Sequence, residues 1–303
     1  MRSTDARSRG AGLALDPGSD LTEQRVALPD GRSLRAVVGG NGERTVVFEA
    51  GLSGAASSWL PVQRVMSAHA RTVAYDRSGL GGSDRDTAER TLDRMVADLA
   101  DLVAALDLGG PLVLVGHSWG GPILRAFADA HPDQVAAMVL VDATASTFMH
   151  AAALQRAVGT YRLVNALTRM NLHRPLLRLL MSGPARHLDP ADRAVMERDV
   201  RDPRSWSTGL DEAQAIAPSL PMLERLEAAG LPNVDVVAVC GSKMSRGDRK
   251  VRREVLEFWT AEMERTEQGR LVLAPRSGHL VPVQEPQLVV QEILGLLPAG
   301  GPA

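Results

Sequence analysis

The sequence predicts an α/β protein with a mostly parallel, twisted sheet, helices on both faces of that sheet, and an inserted helical cap. Short apolar runs alternate with longer amphipathic stretches from about residue 23 onward, which is typical of strands alternating with helices. The alternation is interrupted between about residues 146 and 230, where helical periodicity continues without a convincing strand. With 303 residues and 45% hydrophobic side chains, the chain is long enough to bury a large core.

The predicted elements follow one another along the chain. The first is an antiparallel hairpin over residues 24–38, with a Pro-Asp-Gly turn at residues 29–31. Six buried strands come after it, at residues 45–49, 72–76, 111–115, 136–141, 234–240 and 270–274. Apolar residues recur at helical spacing over residues 91–106, so we expect one face of a helix there to lie on the sheet.

We expect three parts in the chain: a flexible N-terminal tail over residues 1–20, a core formed by residues 21–145 and 231–298, and the cap at residues 146–230. The cap is several times longer than an ordinary connection between strands and helices. No apolar stretch has the length of a signal peptide or of a membrane span. We therefore expect a cytoplasmic protein without a membrane partner.

Charge and cysteine content exclude two further classes of function. The 34 Lys and Arg residues are balanced by 36 Asp and Glu residues, so no electrostatic footprint for nucleic acid is present. The single cysteine, Cys240, rules out an internal disulfide and a cysteine-based metal site.

The strongest chemical signal is the pentapeptide GHSWG at residues 116–120. It lies between the predicted strand at 111–115 and a helical stretch at 122–131, which is the strand–turn–helix context that the G-x-S-x-G pattern requires. The sharp turn forces Ser118 into a strained backbone region, and the flanking glycines remove side chains that would collide. The Ser118 hydroxyl then projects near a helix N-terminus, which favours developing negative charge. We therefore predict that Ser118 is a nucleophile.

Four segments together resemble the α/β-hydrolase fold superfamily, in particular its serine-nucleophile, lidded, esterase- or lactonase-like members, over about residues 23–297. These segments are EAGL at 49–52, YDRSGLGGS at 75–83, the pentapeptide at 116–120 and SGHL at 277–280. The resemblance implies that His279 is the catalytic histidine, and the chemistry independently needs a base that accepts the serine proton. We expect His117 to face away from that base.

Two residues are candidates for the acid that orients His279. Many members of the family place an aspartate three residues after the glycine that closes the strand following the cap. Here that glycine is Gly241, and Met244 occupies the position of the aspartate. Asp142 ends the strand at 136–141, at the edge of the sheet where catalytic groups gather. Asp248 lies in a polar loop and would need that loop to fold back over the site. We favour Asp142 and keep Asp248 as the second choice, because loops of that composition usually lie in water.

An ester-cleaving site also needs donors for the oxyanion of the tetrahedral intermediate. The backbone N–H of Trp119 is one expected donor, because it follows the nucleophile, and the resemblance implies that the N–H of Leu52 is the other. We expect residues 76–83 to be structural. We also expect the cap to act as a lid, and eight apolar residues are candidates for its pocket lining: Met149, Leu154, Leu163, Leu167, Met170, Leu177, Met181 and Met222.

Together these features favour a serine hydrolase that cleaves a small apolar ester or lactone through an acyl-enzyme, without a metal or organic cofactor. Serine at position 118 argues against epoxide hydrolases and haloalkane dehalogenases, which need a carboxylate nucleophile. Aminopeptidases, thioesterases, carbon–carbon bond hydrolases, cofactor-free haloperoxidase-like enzymes and acyltransferases keep the serine and stay open as alternatives. A receptor-like binding module without turnover is a further alternative, and a homo-oligomer is compatible with the sequence.

Overall fold

The computed structural model describes residues 20–170, 172, 188–245 and 247–298. Of the predicted tail at residues 1–20, residues 1–19 lie outside the described residues. Eight strands form one sheet: β1 Thr22–Ala27, β2 Ser33–Gly39, β3 Thr45–Glu49, β4 Arg71–Tyr75, β5 Leu112–His117, β6 Val135–Val141, β7 Asp235–Gly241 and β8 Gly269–Ala274.

The sheet is mostly parallel, with an antiparallel edge. Its strand order is β1-β2-β4-β3-β5-β6-β7-β8. The pairs β1–β2 and β2–β4 are antiparallel, and the five remaining pairs, from β4–β3 to β7–β8, are parallel. The predicted hairpin and all six predicted strands after it are confirmed, with ends that differ by no more than two residues. The prediction that the sixth is buried was wrong, because β8 is the edge strand of the sheet and only Ala274 of its residues is buried. Because β3, β5, β6, β7 and β8 are parallel, their carboxyl ends lie at one edge of the sheet.

Helices cover both faces of the sheet, as predicted. The described helices are α1 Leu60–Met66, α2 Leu92–Ala105, α3 Gly120–Ala130, α4 Ala151–Arg169, α5 Pro190–Arg201, α6 Pro203–Ala229, α7 Arg249–Glu264, α8 Val281–Gln284 and α9 Pro286–Leu294. Buried residues of α2, α3 and α7, such as Leu99, Phe127 and Trp259, belong to one core. Buried residues of α1 and α9, such as Met66 and Ile293, belong to a second core with the opposite faces of the same strands.

Two helices differ from the sequence predictions. Helix α3 begins at Gly120, two residues earlier than predicted, because the turn after β5 is so tight that the helix starts directly after Trp119. Helix α6 continues through Pro218 and Pro221, which the sequence pattern marks as interruptions. No described helix is long and apolar enough to cross a membrane.

The predicted helical insertion lies between β6 and β7. It contains a short 3-10 turn at Ser146–Phe148 followed by α4, α5 and α6. Helices α4 and α6 pack against each other, and α6 also contacts α2 and α3 of the core. The cap therefore rests on the edge of the sheet where the parallel strands end.

The tight packing of α3 on β3 gives a test of the fold. A Cβ at Gly120 would lie 2.5 Å from the backbone oxygen of Glu49, whereas a Cβ at Gly109 would meet nothing within 4 Å. We expect Gly120→Ala to lower the free energy of unfolding by about 2 kcal/mol or more through overpacking. The matched control Gly109→Ala should leave that free energy within about 0.5 kcal/mol. Urea denaturation followed by circular dichroism measures both, and equal midpoints for the two variants would contradict the close approach.

Candidate active site

Ser118 lies in the sharp turn between β5 and α3 and has a left-handed φ of +52°. Its N–H donates to the carbonyl of Val141 over 3.1 Å, and its carbonyl accepts from the N–H of Gly121 and of Thr144, each over 3.0 Å. A Cβ at Gly116 would lie 2.9 Å from the backbone of residue 120, so a side chain there would force the two ends of the turn apart. A non-glycine residue in this conformation is strained and persists only when its surroundings fix it.

His279 and Asp142 are joined by a short hydrogen bond. His279 lies in the loop between β8 and α8, and its Nδ1 is 2.6 Å from Oδ2 of Asp142. Asp142 directly follows β6, is buried, and has a left-handed φ of +44°. A carboxylate accepts hydrogen bonds and does not donate them, so Nδ1 carries the proton and Nε2 is left to accept one. This arrangement can orient an imidazole as a general base.

Three groups share the carboxylate of Asp142. Besides His279, Nη1 of Arg252 on α7 lies 2.6 and 2.7 Å from its two oxygens, and the N–H of Gly241 donates to Oδ1 over 3.0 Å. Burial raises the pKa of Asp142, but the hydrogen bond from His279 and the charge of Arg252 outweigh burial and hold this pKa below its usual value. Asp142 is therefore a carboxylate at neutral pH.

The end of β7 passes unusually close to the loop that carries His279. A Cβ at Gly241 would lie 1.7 Å from the carbonyl oxygen of Gly278. The N–H of Lys243 donates to the carbonyl of Ser277 over 2.9 Å, and Ser277 Oγ donates to the buried carboxylate of Glu285 over 2.6 Å. These contacts hold the loop beside Asp142.

Asp248, the second candidate for the acid, has different surroundings. It precedes α7, and its Oδ1 accepts from the N–H of Ser245 over 2.6 Å. Among the described residues, no hydrogen bond joins Asp248 to His279. The structure thus brings Asp142 to the imidazole and leaves Asp248 in its own loop.

His117 does not face away from the base, in contrast to the expectation from the sequence. Its Nε2–H donates to the backbone carbonyl of His279 over 2.8 Å, and the two imidazole rings lie 4.8 Å apart. Burial, reinforced by the nearby His279, lowers the pKa of His117 to about 3. His117 is therefore a neutral ring that packs beside His279.

Two backbone N–H groups near Ser118 are available as hydrogen-bond donors. Within the described part of the chain, the N–H of Leu52 and the N–H of Trp119 have no acceptor. The loop that carries Leu52 passes close to the turn at Ser118. A Cβ at Gly51 would lie 3.1 Å from the Cβ of Ser118. These are the two donors that the sequence predicts for an oxyanion.

Ser118 and His279 line one cavity of about 450 Å³ beneath the cap. The cap residues that line this cavity include Tyr161, Met196, Asp199, Val200, Ser205 and Trp206. The predicted lining of the cap was wrong in its choice of residues, since none of the six described candidates lines this cavity. Leu163 and Met170 are 59% and 65% exposed instead, because they lie on the outer face of α4. Leu177 and Met181 lie outside the described residues.

Two charged residues near the site were missed by sequence reasoning. Arg252 lies in a helix rich in charged residues, and its one local signal is its helical spacing from the buried Val255 and Trp259. Glu212 is buried in α6 although its sequence neighbours are polar or small. Among the described residues, no three His, Cys, Asp or Glu side chains are grouped as metal ligands would be.

Comparisons with known proteins bear on the family and the fold of the chain. The model of the family described as the alpha/beta hydrolase family matches residues 46–292. The chain is similar to YqjL, an uncharacterized protein of Bacillus subtilis, at 35% identity over 98 residues, which cover 32% of this chain and 39% of that protein. It is also similar to a non-heme chloroperoxidase of Streptomyces lividans, at 41% identity over 100 residues, which cover 32% of this chain and 36% of that protein. The matched stretches thus span about two-fifths of these relatives' length.

Solved structures extend the similarity over nearly the whole chain. Cfl2 from Burkholderia cenocepacia aligns with a TM-score of 0.74 at 22% sequence identity. The alignment covers 93% of this chain and 98% of Cfl2. At this level of identity the alignment shows the shared fold.

The neutral, buried His117 predicts a specific pH dependence of stability. The folded chain binds a proton at this ring only near pH 3, whereas the unfolded chain binds it near pH 6.5. Stability contributed by the neutral ring is therefore lost as the pH falls below about 6.5. We expect the stability of the wild type, relative to His117→Gln, to decrease by about 2 kcal/mol between pH 7 and pH 5. Urea unfolding at both pH values measures this difference, and parallel pH curves for the two proteins would contradict it.

Proposed function

This chain belongs to the alpha/beta hydrolase family, and from that premise we propose that it is a serine hydrolase that cleaves carboxylic esters or lactones through an acyl-enzyme. One observation carries the proposal. His279 Nδ1 lies 2.6 Å from the buried carboxylate of Asp142, and His279 shares a cavity with Ser118, whose backbone is held at a φ of +52°. Nucleophile, base and orienting acid are the three groups that acyl transfer requires.

In the proposed mechanism, Ser118 Oγ attacks the carbonyl carbon while His279 Nε2 accepts the serine proton. Asp142 keeps the proton of His279 on Nδ1 and stabilises the imidazolium that forms. The N–H groups of Leu52 and Trp119 donate to the oxyanion of the tetrahedral intermediate. The intermediate then collapses, the C–O bond to the alcohol breaks, and the imidazolium gives its proton to the departing oxygen.

Deacylation reverses these roles with water as the nucleophile. His279 Nε2 accepts a proton from water as the water oxygen attacks the acyl carbon. The tetrahedral intermediate then collapses, the bond to Ser118 Oγ breaks, the imidazolium returns its proton to that oxygen, and the carboxylic acid is released. With a lactone, the alcohol and the acid are parts of one product molecule. The residues named here account for every proton transfer in both halves of the reaction.

The cavity lining supports a neutral substrate. Besides the two histidines, Asp199 is the only carboxylic or basic side chain among the described lining residues. Its carboxylate is paired with Arg35 at 3.5 Å and with Arg198 at 3.2 Å, so its charge is compensated within the protein. The remaining lining consists of apolar, aromatic and hydroxyl side chains and glycines, which suits an apolar acyl or alcohol group better than the charged terminus of a peptide.

The first test removes the proposed nucleophile. We expect Ser118→Ala to lower kcat/KM for p-nitrophenyl butyrate by about 10⁴-fold or more, because the covalent route is lost. A fluorophosphonate probe should label the wild type and leave Ser118→Ala unlabelled, as intact mass shows. Ester turnover that survives in the alanine variant would contradict the proposal.

The second test distinguishes the two candidate acids. Asp142→Asn should lower kcat for the same ester by about 10³- to 10⁴-fold, because the amide cannot hold the imidazole in the required tautomer or stabilise its charged form. The matched control Asp248→Asn should change kcat by less than about twofold. Melting temperatures show whether both variants fold. A larger loss of kcat in Asp248→Asn than in Asp142→Asn would make Asp248 the acid that orients His279.

The third test concerns the cavity under the cap. Val200→Phe adds bulk to the lining, so we expect KM for p-nitrophenyl hexanoate to rise about tenfold relative to that for the acetate. Leu163→Phe is the matched control, since this side chain is exposed on the outer face of α4. The chain-length profile of each variant measures the effect, and an identical profile for both would show that acyl groups bind elsewhere.

A further inference from the structure

The cap and the loop after β3 share a buried network of charged side chains that the proposed chemical steps do not use. At its centre is Arg77, which follows β4 and lies between Glu49 of β3 and Glu212 of α6. Its Nε and Nη2 donate to the two carboxylate oxygens of Glu212 over 2.8 and 2.9 Å, and its Nη1 donates to Glu49 over 2.6 Å. Glu49 and Glu212 are 0% exposed and Arg77 is 1% exposed. Removing one member of such a network leaves another charge buried without its partner.

This network fixes the backbone on both sides of the Leu52 N–H. The carbonyl of Gly51 accepts from Nη2 of Arg77 over 2.7 Å, and the N–H of Ser53 donates to Oε2 of Glu212 over 2.8 Å. The N–H of Leu52 lies between these two anchored groups and has no acceptor among the described residues. The carbonyl of Gly51 and the N–H of Leu52 belong to one peptide group, so Arg77 anchors the peptide of the proposed oxyanion donor itself, and Glu212 anchors the next peptide directly and Arg77 in turn.

The conformation of Ser53 shows how closely α6 holds this loop. Ser53 has a left-handed φ of +58°, which is strained for a residue with a side chain. Its Oγ donates to the carbonyl of Ser205 over 3.0 Å, and a Cβ at Gly209 would lie 2.6 Å from that Oγ. From α4, the Tyr161 hydroxyl reaches the carbonyl of Leu52 over 3.4 Å. The cap thus contacts the loop through hydrogen bonds and through direct packing.

We propose that Glu212 is a positioning residue, whose carboxylate holds Ser53 and Arg77 so that the Leu52 N–H is presented to the oxyanion. The cap is then part of the catalytic machinery as well as a cover for the substrate. A displacement of α6 would break the hydrogen bonds at Ser53 and Arg77 together and would disturb the donor. This inference rests on the proposed function, because Leu52 has this role only in acyl transfer.

The test compares Glu212→Ala and Glu212→Gln with the control Thr208→Val. Thr208 lies on the same helix and donates to the carbonyl of Gly79 over 3.0 Å, so the control also removes a hydrogen bond between cap and core, but one outside the Leu52 loop. Three quantities are measured for each protein: kcat and KM for p-nitrophenyl butyrate, and the inhibition constant of a trifluoromethyl ketone of the same acyl length. The ketone forms a tetrahedral adduct with serine, so its affinity depends on the oxyanion donors.

We expect Glu212→Ala to lower kcat by about ten- to a hundredfold with little change in KM, and to raise the ketone inhibition constant by a similar factor. Glu212→Gln should show a smaller change in both, because its amide oxygen still accepts from Ser53. Thr208→Val should stay within about twofold of the wild type in both. The inhibition constant does not depend on how much of a preparation is folded, so a general loss of folding cannot produce this result.

An unchanged ketone inhibition constant in both Glu212 variants would overturn the inference, as would an equal increase in Thr208→Val. If Glu212→Ala does not fold, the ketone inhibition constants of Glu212→Gln and Gly209→Ala decide the test. A methyl group at Gly209 pushes α6 away from Ser53 without changing a charge. Failure of the proposed function has a different signature. In that case the wild type itself neither turns over the ester nor binds the ketone, and the inference falls with it.

Discussion

Ser118 and Asp142 directly follow the neighbouring strands β5 and β6, and both have left-handed backbone φ angles, of +52° and +44°. Backbone hydrogen bonds tie the two turns to each other. The N–H of Ser118 donates to the carbonyl of Val141, and the carbonyl of Ser118 accepts from the N–H of Thr144. The proposed nucleophile and the proposed acid are therefore held by one backbone unit at the edge of the parallel sheet, and His279 is held to that unit by its hydrogen bond to Asp142.

The site has two further parts, the pair of Asp142 and His279 and the loop that carries Leu52, and a buried arginine contacts each of them. On the side of the imidazole, Arg252 and the N–H of Gly241 fix Asp142, which in turn fixes His279. On the side of the oxyanion, Arg77 binds the loop after β3 together with Glu212 of the cap. Buried charges of this kind are costly to leave unpaired, so both parts are held in a single arrangement. Because Glu212 lies on the cap, the proposed mechanism couples the position of the cap to the position of the Leu52 N–H.

Sequence patterns predicted the sheet and the helical insertion, because strands and helices give local signals. The pairing of His279 with Asp142 joins distant parts of the chain. Asp142 was favoured over Asp248 from its position at a strand end and from the composition of the Asp248 loop, and the role of His279 came from the family resemblance. Strands show as apolar runs, and the turn at Ser118 shows as glycines at fixed spacing. The lining of the cavity and the partners Arg252 and Glu212 could not be predicted in the same way. Their positions depend on how α4, α6 and α7 pack on distant parts of the chain. Arg252 lies at helical spacing from the buried Val255 and Trp259, but this spacing does not show which acid it will contact. His117 was misplaced for the same reason, since its partner is the loop at residue 279.

The central claim of this account is that Ser118 forms an acyl-enzyme. The most direct measurement is rapid-quench mass spectrometry of the protein during turnover of a slowly hydrolysed p-nitrophenyl ester, followed by peptide mapping. The account predicts a transient increase in mass equal to the acyl group, located on the peptide that contains Ser118, together with a burst of p-nitrophenol that matches the amount of enzyme. Turnover without this adduct, or an acyl group mapped to another residue, would contradict it.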